Sequence, residues 1–162
     1  MAVQDDERQI SRPPTIDDLV AICKNLNDSN VQYVLIGGFA INYHGFPRAT
    51  VDIDLLVSPS KENISEIKQA LSFLPDNAIR EINLEDVEKY EVVRVVDEIT
   101  IDLLKSACGI TYKDAEIEYF EFKGIQIPIA DLPTMIKTKQ GIRPKDKEDL
   151  AFLLNLLEEE ER

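Results

Sequence analysis

Three aspartates carry the chemistry this sequence can offer. Asp52 and Asp54 sit two apart in an otherwise apolar run, Val51–Val57, and Asp102 stands alone in a second such run, Ile99–Leu104. Alternate residues of an extended strand share a face at about 3.3 Å rise per residue, so the pair is expected on one face, roughly 7 Å apart at Cα. Acids placed this way repel one another and lose hydration, which makes them poor core filler. A hard cation such as Mg²⁺, which binds a few carboxylates together with substrate phosphates, removes that penalty. A third strand carboxylate allows two cations about 3.5–4 Å apart, an arrangement that activates an attacking hydroxyl and steadies a leaving pyrophosphate. The chain has one histidine, His44, and two cysteines, Cys23 and Cys108, at no metal-type spacing. Catalysis, if present, must therefore rest on carboxylates, amines, hydroxyls or backbone.

The elements that must position these acids can be read from local signals. Thr15 with Asp18 three residues on predicts a capped helix near 15–29, with Cys23 on its apolar stripe. Tyr33–Ile36 reads as a buried strand stopped by Gly37-Gly38, and Phe39–His44 as a short helix closed by Gly45 and Pro47. Residues lacking Cβ let backbone approach a ligand, and a helix N-terminus offers free N–H groups to phosphate. After the Asp-x-Asp strand, Ser60 caps a helix that buries Ile64, Ile67, Leu71 and Leu74, and Asn83 caps a short helix through Tyr90. Strands are expected at 91–96 and 98–104 around Asp97-Glu98, and at 116–122 and 125–129 around the hairpin signal Lys123-Gly124. Asp131 caps a helix with Pro133 in its first turn, and a last helix near 145–159 is expected to bury Leu150, Leu153, Leu154 and Leu157. The alternation predicts an α/β (α+β) domain: a mixed sheet of five or six strands with helices mainly on one face and a cleft on the other.

With 18 Lys and Arg against 31 Asp and Glu among 162 residues, the net charge is −13. That excess argues against coating long DNA or anionic lipid, since such binding depends on basic groups neutralising phosphates. The longest nearly apolar stretch, Tyr33–Ile41, is about half of what a membrane span needs. Met1–Pro14 carries no signal-peptide h-region, so a cytoplasmic protein is expected, with residues 1–14 as a flexible arm before one domain over 15–162.

The block Gly37-Gly38-Phe39-Ala40, then Gly45, Arg48, Thr50 and Asp52-Ile53-Asp54, resembles the signature of the DNA polymerase β-type nucleotidyltransferase superfamily. It is most similar to small bacterial members of the abortive-infection toxin type. Lys137, Lys139, Arg143-Pro144-Lys145-Asp146 and Asp149 resemble the tail of those enzymes, so the likeness spans residues 31–155. The resemblance implies that Gly37 and Gly38 cradle an NTP triphosphate and that Asp52 and Asp54 bind two Mg²⁺, with Mn²⁺ as a substitute. It also implies that Asp102 is the third metal carboxylate and helps to activate the acceptor hydroxyl. Many relatives have Gly-Ser where this chain has Gly37-Gly38, and larger ones add a helical domain beyond the last helix.

Arg48 and Lys139 are the candidate phosphate-neutralising cations, since the segment 137–145 is the densest basic run in an acidic chain. His44, at a helix end, and Cys108, with no close basic neighbour, are set aside. The expected reaction is transfer of a nucleoside monophosphate from an NTP to a hydroxyl on a small molecule, a protein or an RNA end. The alternative is a non-catalytic nucleotide-binding or protein-interaction module on the same fold, as one half of a toxin–antitoxin pair. A chain this small could also complete its cleft with a second copy or a small partner protein.

Overall fold

Thr15 starts the first helix, α1 (Ile16–Asp28), through the expected capping box: its hydroxyl accepts from the Asp18 N–H, and the Asp18 carboxylate accepts from the Thr15 N–H. Leu19, Ile22, Cys23 and Leu26 form its buried stripe. The structure, a computed structural model, describes residues 11–162. Residues 1–10 of the expected arm over 1–14 lie outside them. Just beyond residue 10, the Arg12 N–H donates to the Glu98 carbonyl and the Ser11 hydroxyl to the Asp97 carbonyl, which ties the chain to the sheet before α1 begins.

Strand β1 (Tyr33–Ile36) runs directly into α2 (Gly37–Tyr43), and β2 (Ile53–Val57) returns antiparallel to β1. Helix α3 (Lys61–Ala70), capped by Ser60, buries Ile64 and Ile67. A 3₁₀ turn at Ala78–Glu81 and the one-turn helix α4 (Asp86–Lys89) lead to the hairpin of β3 (Val92–Val96) and β4 (Thr100–Leu104). A two-stranded ribbon, β5 (Ser106–Ala107) with β6 (Ile110–Thr111), precedes the hairpin of β7 (Ile117–Phe122) and β8 (Ile125–Ala130). Lys123 and Gly124 both take positive φ in that turn, as a two-residue type I′ hairpin requires. Asp131 caps α5 (Leu132–Thr138), and α6 (Pro144–Glu161) closes the chain.

Among the described residues the main sheet has six strands in the order β3-β4-β2-β1-β8-β7. β2 with β4 and β1 with β8 are parallel, and the other neighbours are antiparallel. This is the expected mixed α+β sheet. The central strands are buried at consecutive positions, Tyr33–Ile36 in β1 and Leu55–Val57 in β2, so both faces are covered along most of their length. No helix among the described residues is long and apolar enough to cross a membrane.

Three local expectations are corrected. The strand read as Val51–Val57 begins at Ile53, because β1 ends at Ile36, opposite Asp54, and leaves Asp52 no strand partner on that side. The helix expected from Asn83 shrinks to α4; the Asn83 N–H donates to the Asp86 carboxylate instead of the Asn83 side chain capping a helix. Helix α6 does not bury Leu154, which is exposed. Its inward face carries Asp146, Asp149 and Leu153, so the stripe is rotated by about one residue to bring two acids inside.

Asp97 is a structural anchor in the turn between β3 and β4. Its buried carboxylate accepts from the N–H groups of Asp76 (3.0 Å), Ala78 (2.9 Å) and Glu98 (2.7 Å), fixing the segment before β3 onto the hairpin. Asp97→Ala leaves three donors without this acceptor and is expected to cost about 3 kcal/mol, measured by urea denaturation.

Candidate active site

The sheet register places a row of charges side by side. Ile36 is opposite Asp54, Asp54 opposite Asp102, and Asp102 opposite Arg94, so β1, β2, β4 and β3 contribute successive positions of one line across one face. Asp52 enters from the bend just before β2. One carboxylate oxygen from each of Asp52, Asp54 and Asp102 lies within 4.8 Å of the others. Three oxygen-only, hard ligands converging this closely, two half-buried and one buried, suit a divalent cation of the Mg²⁺ type.

The electrostatics of the triad bear the mark of crowding. Burial, then the neighbouring charges of Asp52 and Asp102 and a hydrogen bond with Asp102, push the Asp54 carboxyl up to about 8. Asp52 is raised as well, first by burial and then by the charge of Asp102, with Arg94 acting in the opposite direction. Without a cation, Asp54 therefore retains a proton that a divalent ion would displace.

Gly37 has a geometric reason to lack a side chain. Its φ is +72°, and a Cβ there would collide with the Asp54 carboxylate. A Cβ at Gly38 would lie 2.6 Å from the Thr50 methyl group. Both glycines line the same cleft as the acids, but the immediate demand on them comes from the neighbouring strand segment.

The cleft, about 380 Å³, has an acidic floor and a basic wall. Asp52, Asp54 and Asp102 line it with Gly37, Gly38, Arg48, Lys139, Arg143 and Lys145. Lys139, at the end of α5, is buried, with its Nζ 3.1 Å from Asp149 and 3.7 Å from Asp146. Arg48 Nη1 is 3.2 Å from the other Asp149 oxygen, and Arg143 grips Asp146 with two hydrogen bonds of 2.9 and 3.0 Å. The two acids on the inward face of α6 thus hold three of the wall's cations, Arg48, Lys139 and Arg143. Lys137 is exposed and does not line the cleft. The His44 ring nitrogen Nε2 lies 2.9 Å from the Ala130 carbonyl oxygen, and the Cys108 thiol donates to the Thr138 carbonyl; neither lines the cleft.

All seven residues selected from the sequence therefore meet in one cleft. Asp146 and Asp149 were named only as part of the family-like tail, without a role, and Arg94 was missed. Arg94 Nε and Nη2 donate to the two oxygens of Asp102 at 2.8 and 2.9 Å, and Nη2 also lies 3.3 Å from Asp52. Its signal was present as the lone charge at an alternating position of Val92-Val93-Arg94-Val95-Val96. Hairpin register about the Asp97 turn places that position opposite Asp102.

A family model described as nucleotidyl transferase AbiEii toxin, type IV toxin–antitoxin system, matches residues 22–161. A solved Thermotoga maritima protein assigned as a nucleotidyltransferase superposes with a TM-score of 0.53 at 19% identity, covering 86% of this chain and 92% of its own. An antigenic nucleotidyltransferase-like protein from Paracoccidioides brasiliensis gives 0.52 at 16% identity, covering 85% and 74%. At these identities the two structures speak for the fold. No curated protein sequence matches the chain.

Two outcomes are expected from this geometry. The unfolded chain releases the Asp54 proton near the ordinary aspartate value of 3.8, whereas the folded chain keeps it to about 8. Metal-free protein must then lose stability as pH rises between those values, and saturating Mg²⁺ must raise Tm more at pH 8 than at pH 6. Differential scanning fluorimetry reads both trends, and Asp54→Asn should flatten them. In the wall, Asp149→Ala strands the buried Lys139 and the half-buried Arg48 and is expected to cost about 3 kcal/mol. Lys139→Met combined with Asp149→Leu should cost clearly less than the sum of the single changes in a denaturation cycle.

Proposed function

Because the chain belongs to the AbiEii family of nucleotidyl transferase toxins of type IV toxin–antitoxin systems, we propose that it transfers a nucleoside monophosphate from an NTP to a hydroxyl acceptor and releases pyrophosphate. The observation that carries this reading is the facing of three clustered carboxylates and an anchored basic wall across one cleft, with the start of α2 between them. Asp52, Asp54 and Asp102 are the groups that would hold Mg²⁺ or Mn²⁺. Such ions, when bound, lower the barrier by stabilising negative charge on phosphoryl oxygens and easing deprotonation of the acceptor.

The remaining work falls to the chain itself. Arg48, Lys139, Arg143 and Lys145 bind the triphosphate and compensate the charge that grows on the leaving pyrophosphate. Anchoring of Arg48, Lys139 and Arg143 by Asp146 and Asp149 fixes these three before substrate arrives, so little reorganisation accompanies the reaction. Gly37 and Gly38, which line the cleft between Asp54 and Thr50, are the backbone positions that would cradle the phosphates. The acceptor oxygen forms a bond to the α-phosphorus as the bond to pyrophosphate breaks, and Asp102 takes up the acceptor proton. No nucleophilic His or Cys is required, because phosphoryl transfer depends on positioning and electrostatics. The family description further supports a toxin role with an antitoxin partner.

Incubation with each α-labelled NTP, Mg²⁺ and cell extract tests the reading. Wild-type protein should transfer label to an extract component, and Asp54→Asn should reduce transfer by about a hundredfold or more. Equal labelling by the variant would end the assignment of the triad. Nucleotide binding with no transfer by the wild type would favour the non-catalytic alternative.

A further inference from the structure

We propose that Arg94 is a built-in counter-cation of the acid triad, which a divalent ion must displace in order to bind; the inference rests on the metal-dependent reading above. Arg94 reaches the triad from β3, the edge strand, at the register position opposite Asp102. Its guanidinium takes both Asp102 oxygens in a forked pair, and the Nη2 that bonds one of them, at 2.9 Å, is also 3.3 Å from Asp52. A positively charged nitrogen therefore stands between two of the three carboxylates whose oxygens converge within 4.8 Å. A bridging divalent ion needs those oxygens at about 2.0–2.1 Å for Mg²⁺, and it would meet both steric conflict and like charge from the guanidinium.

The other cations of the cleft do not compete in this way. Lys139 and Arg143 pair with Asp146, and Lys139 and Arg48 pair with Asp149; Lys139 and Lys145 act on Asp54 and Asp52 through their charge but make no ion pair with the triad. Arg94 also differs in exposure: its side chain is 58% exposed, so it can turn outward into water once its hydrogen bonds to Asp102 and its contact with Asp52 are broken. It lines the cleft that would receive the nucleotide, so the displaced guanidinium remains beside an anionic substrate. Two consequences follow. In the free protein Arg94 offsets the repulsion among the acids and weakens divalent-ion binding. With nucleotide present, phosphate offers the guanidinium a new partner, so metal and nucleotide bind with positive coupling. Displacement also releases the Asp102 oxygens, both of which the guanidinium otherwise occupies, to the cation.

The test is Mn²⁺ binding followed by electron paramagnetic resonance in wild type, Arg94→Gln, Arg94→Lys and Asp54→Asn, with and without a non-hydrolysable NTP. Without nucleotide, Arg94→Gln should bind Mn²⁺ about tenfold or more tightly than wild type, because a charge-assisted contact no longer has to be broken. Arg94→Lys, which keeps the charge but loses the fork, should fall between them. The gain from added nucleotide should be largest in wild type. In ¹⁵N-edited spectra, the Arg94 Nε–H signal of wild type should move on Mg²⁺ saturation. If Arg94→Gln and Arg94→Lys bind Mn²⁺ no more tightly than wild type, while Asp54→Asn abolishes binding, Arg94 only orients Asp102 and this inference is overturned with the site reading intact. If wild type binds no Mn²⁺ at the triad even with nucleotide, both readings fall.

Discussion

Mutual repulsion of three carboxylates in a partly dehydrated place is the constraint around which this structure is arranged. Their oxygens lie within 4.8 Å of one another, and the deepest interaction falls on Asp54, which keeps its proton far above the ordinary range. Folding reconciles this with a stable sheet in three ways. Protonation removes one charge, Arg94 pairs with two of the acids, and Gly37 gives the Asp54 carboxylate the space that a Cβ would fill. Each device is local, and each is of a kind that a bound cation and its phosphate ligands could replace.

The opposite wall solves the inverse problem. Basic side chains clustered on one wall would repel each other and wander if left to solvent. Here Lys139 and Arg48 share the buried Asp149, and Lys139 and Arg143 share Asp146. Buried ion pairs add little net stability relative to apolar packing, so their value lies in fixing where charge is presented. An acidic chain with net charge −13 thereby offers a concentrated positive surface at a single cleft.

The parts of this architecture that could be read from the chain are those set by short-range rules. The Thr15–Asp18 capping box, the Ser60 and Asp131 caps, the Lys123-Gly124 hairpin and the buried stripe of α1 depend on residues a few positions apart, and all form as their spacing implies. The Asp-x-Asp pair and the third aspartate were visible because an acid in an apolar strand is chemically conspicuous. Boundaries were less legible: β2 starts two residues later than its composition suggests because pairing with β1 stops at Ile36. Helix α6 was misjudged at Leu154 because counting apolar positions ignores acids that become inward-facing once Lys139 and Arg48 pair with them.

Residue type and local periodicity were thus enough to specify the main helices and strands, the three acids and the glycines beside them. Only the assembled sheet determined that Asp54, Asp102 and Arg94 share one row, since that depends on parallel pairing of β2 with β4 and on hairpin register across β3 and β4. Only packing of α6 against α5 decided which acids hold the basic wall. The physical reason is one of range: caps and turns act over three or four residues, whereas the guanidinium of Arg94 meets Asp52 across 42 positions of chain, through strand pairing that no short window contains.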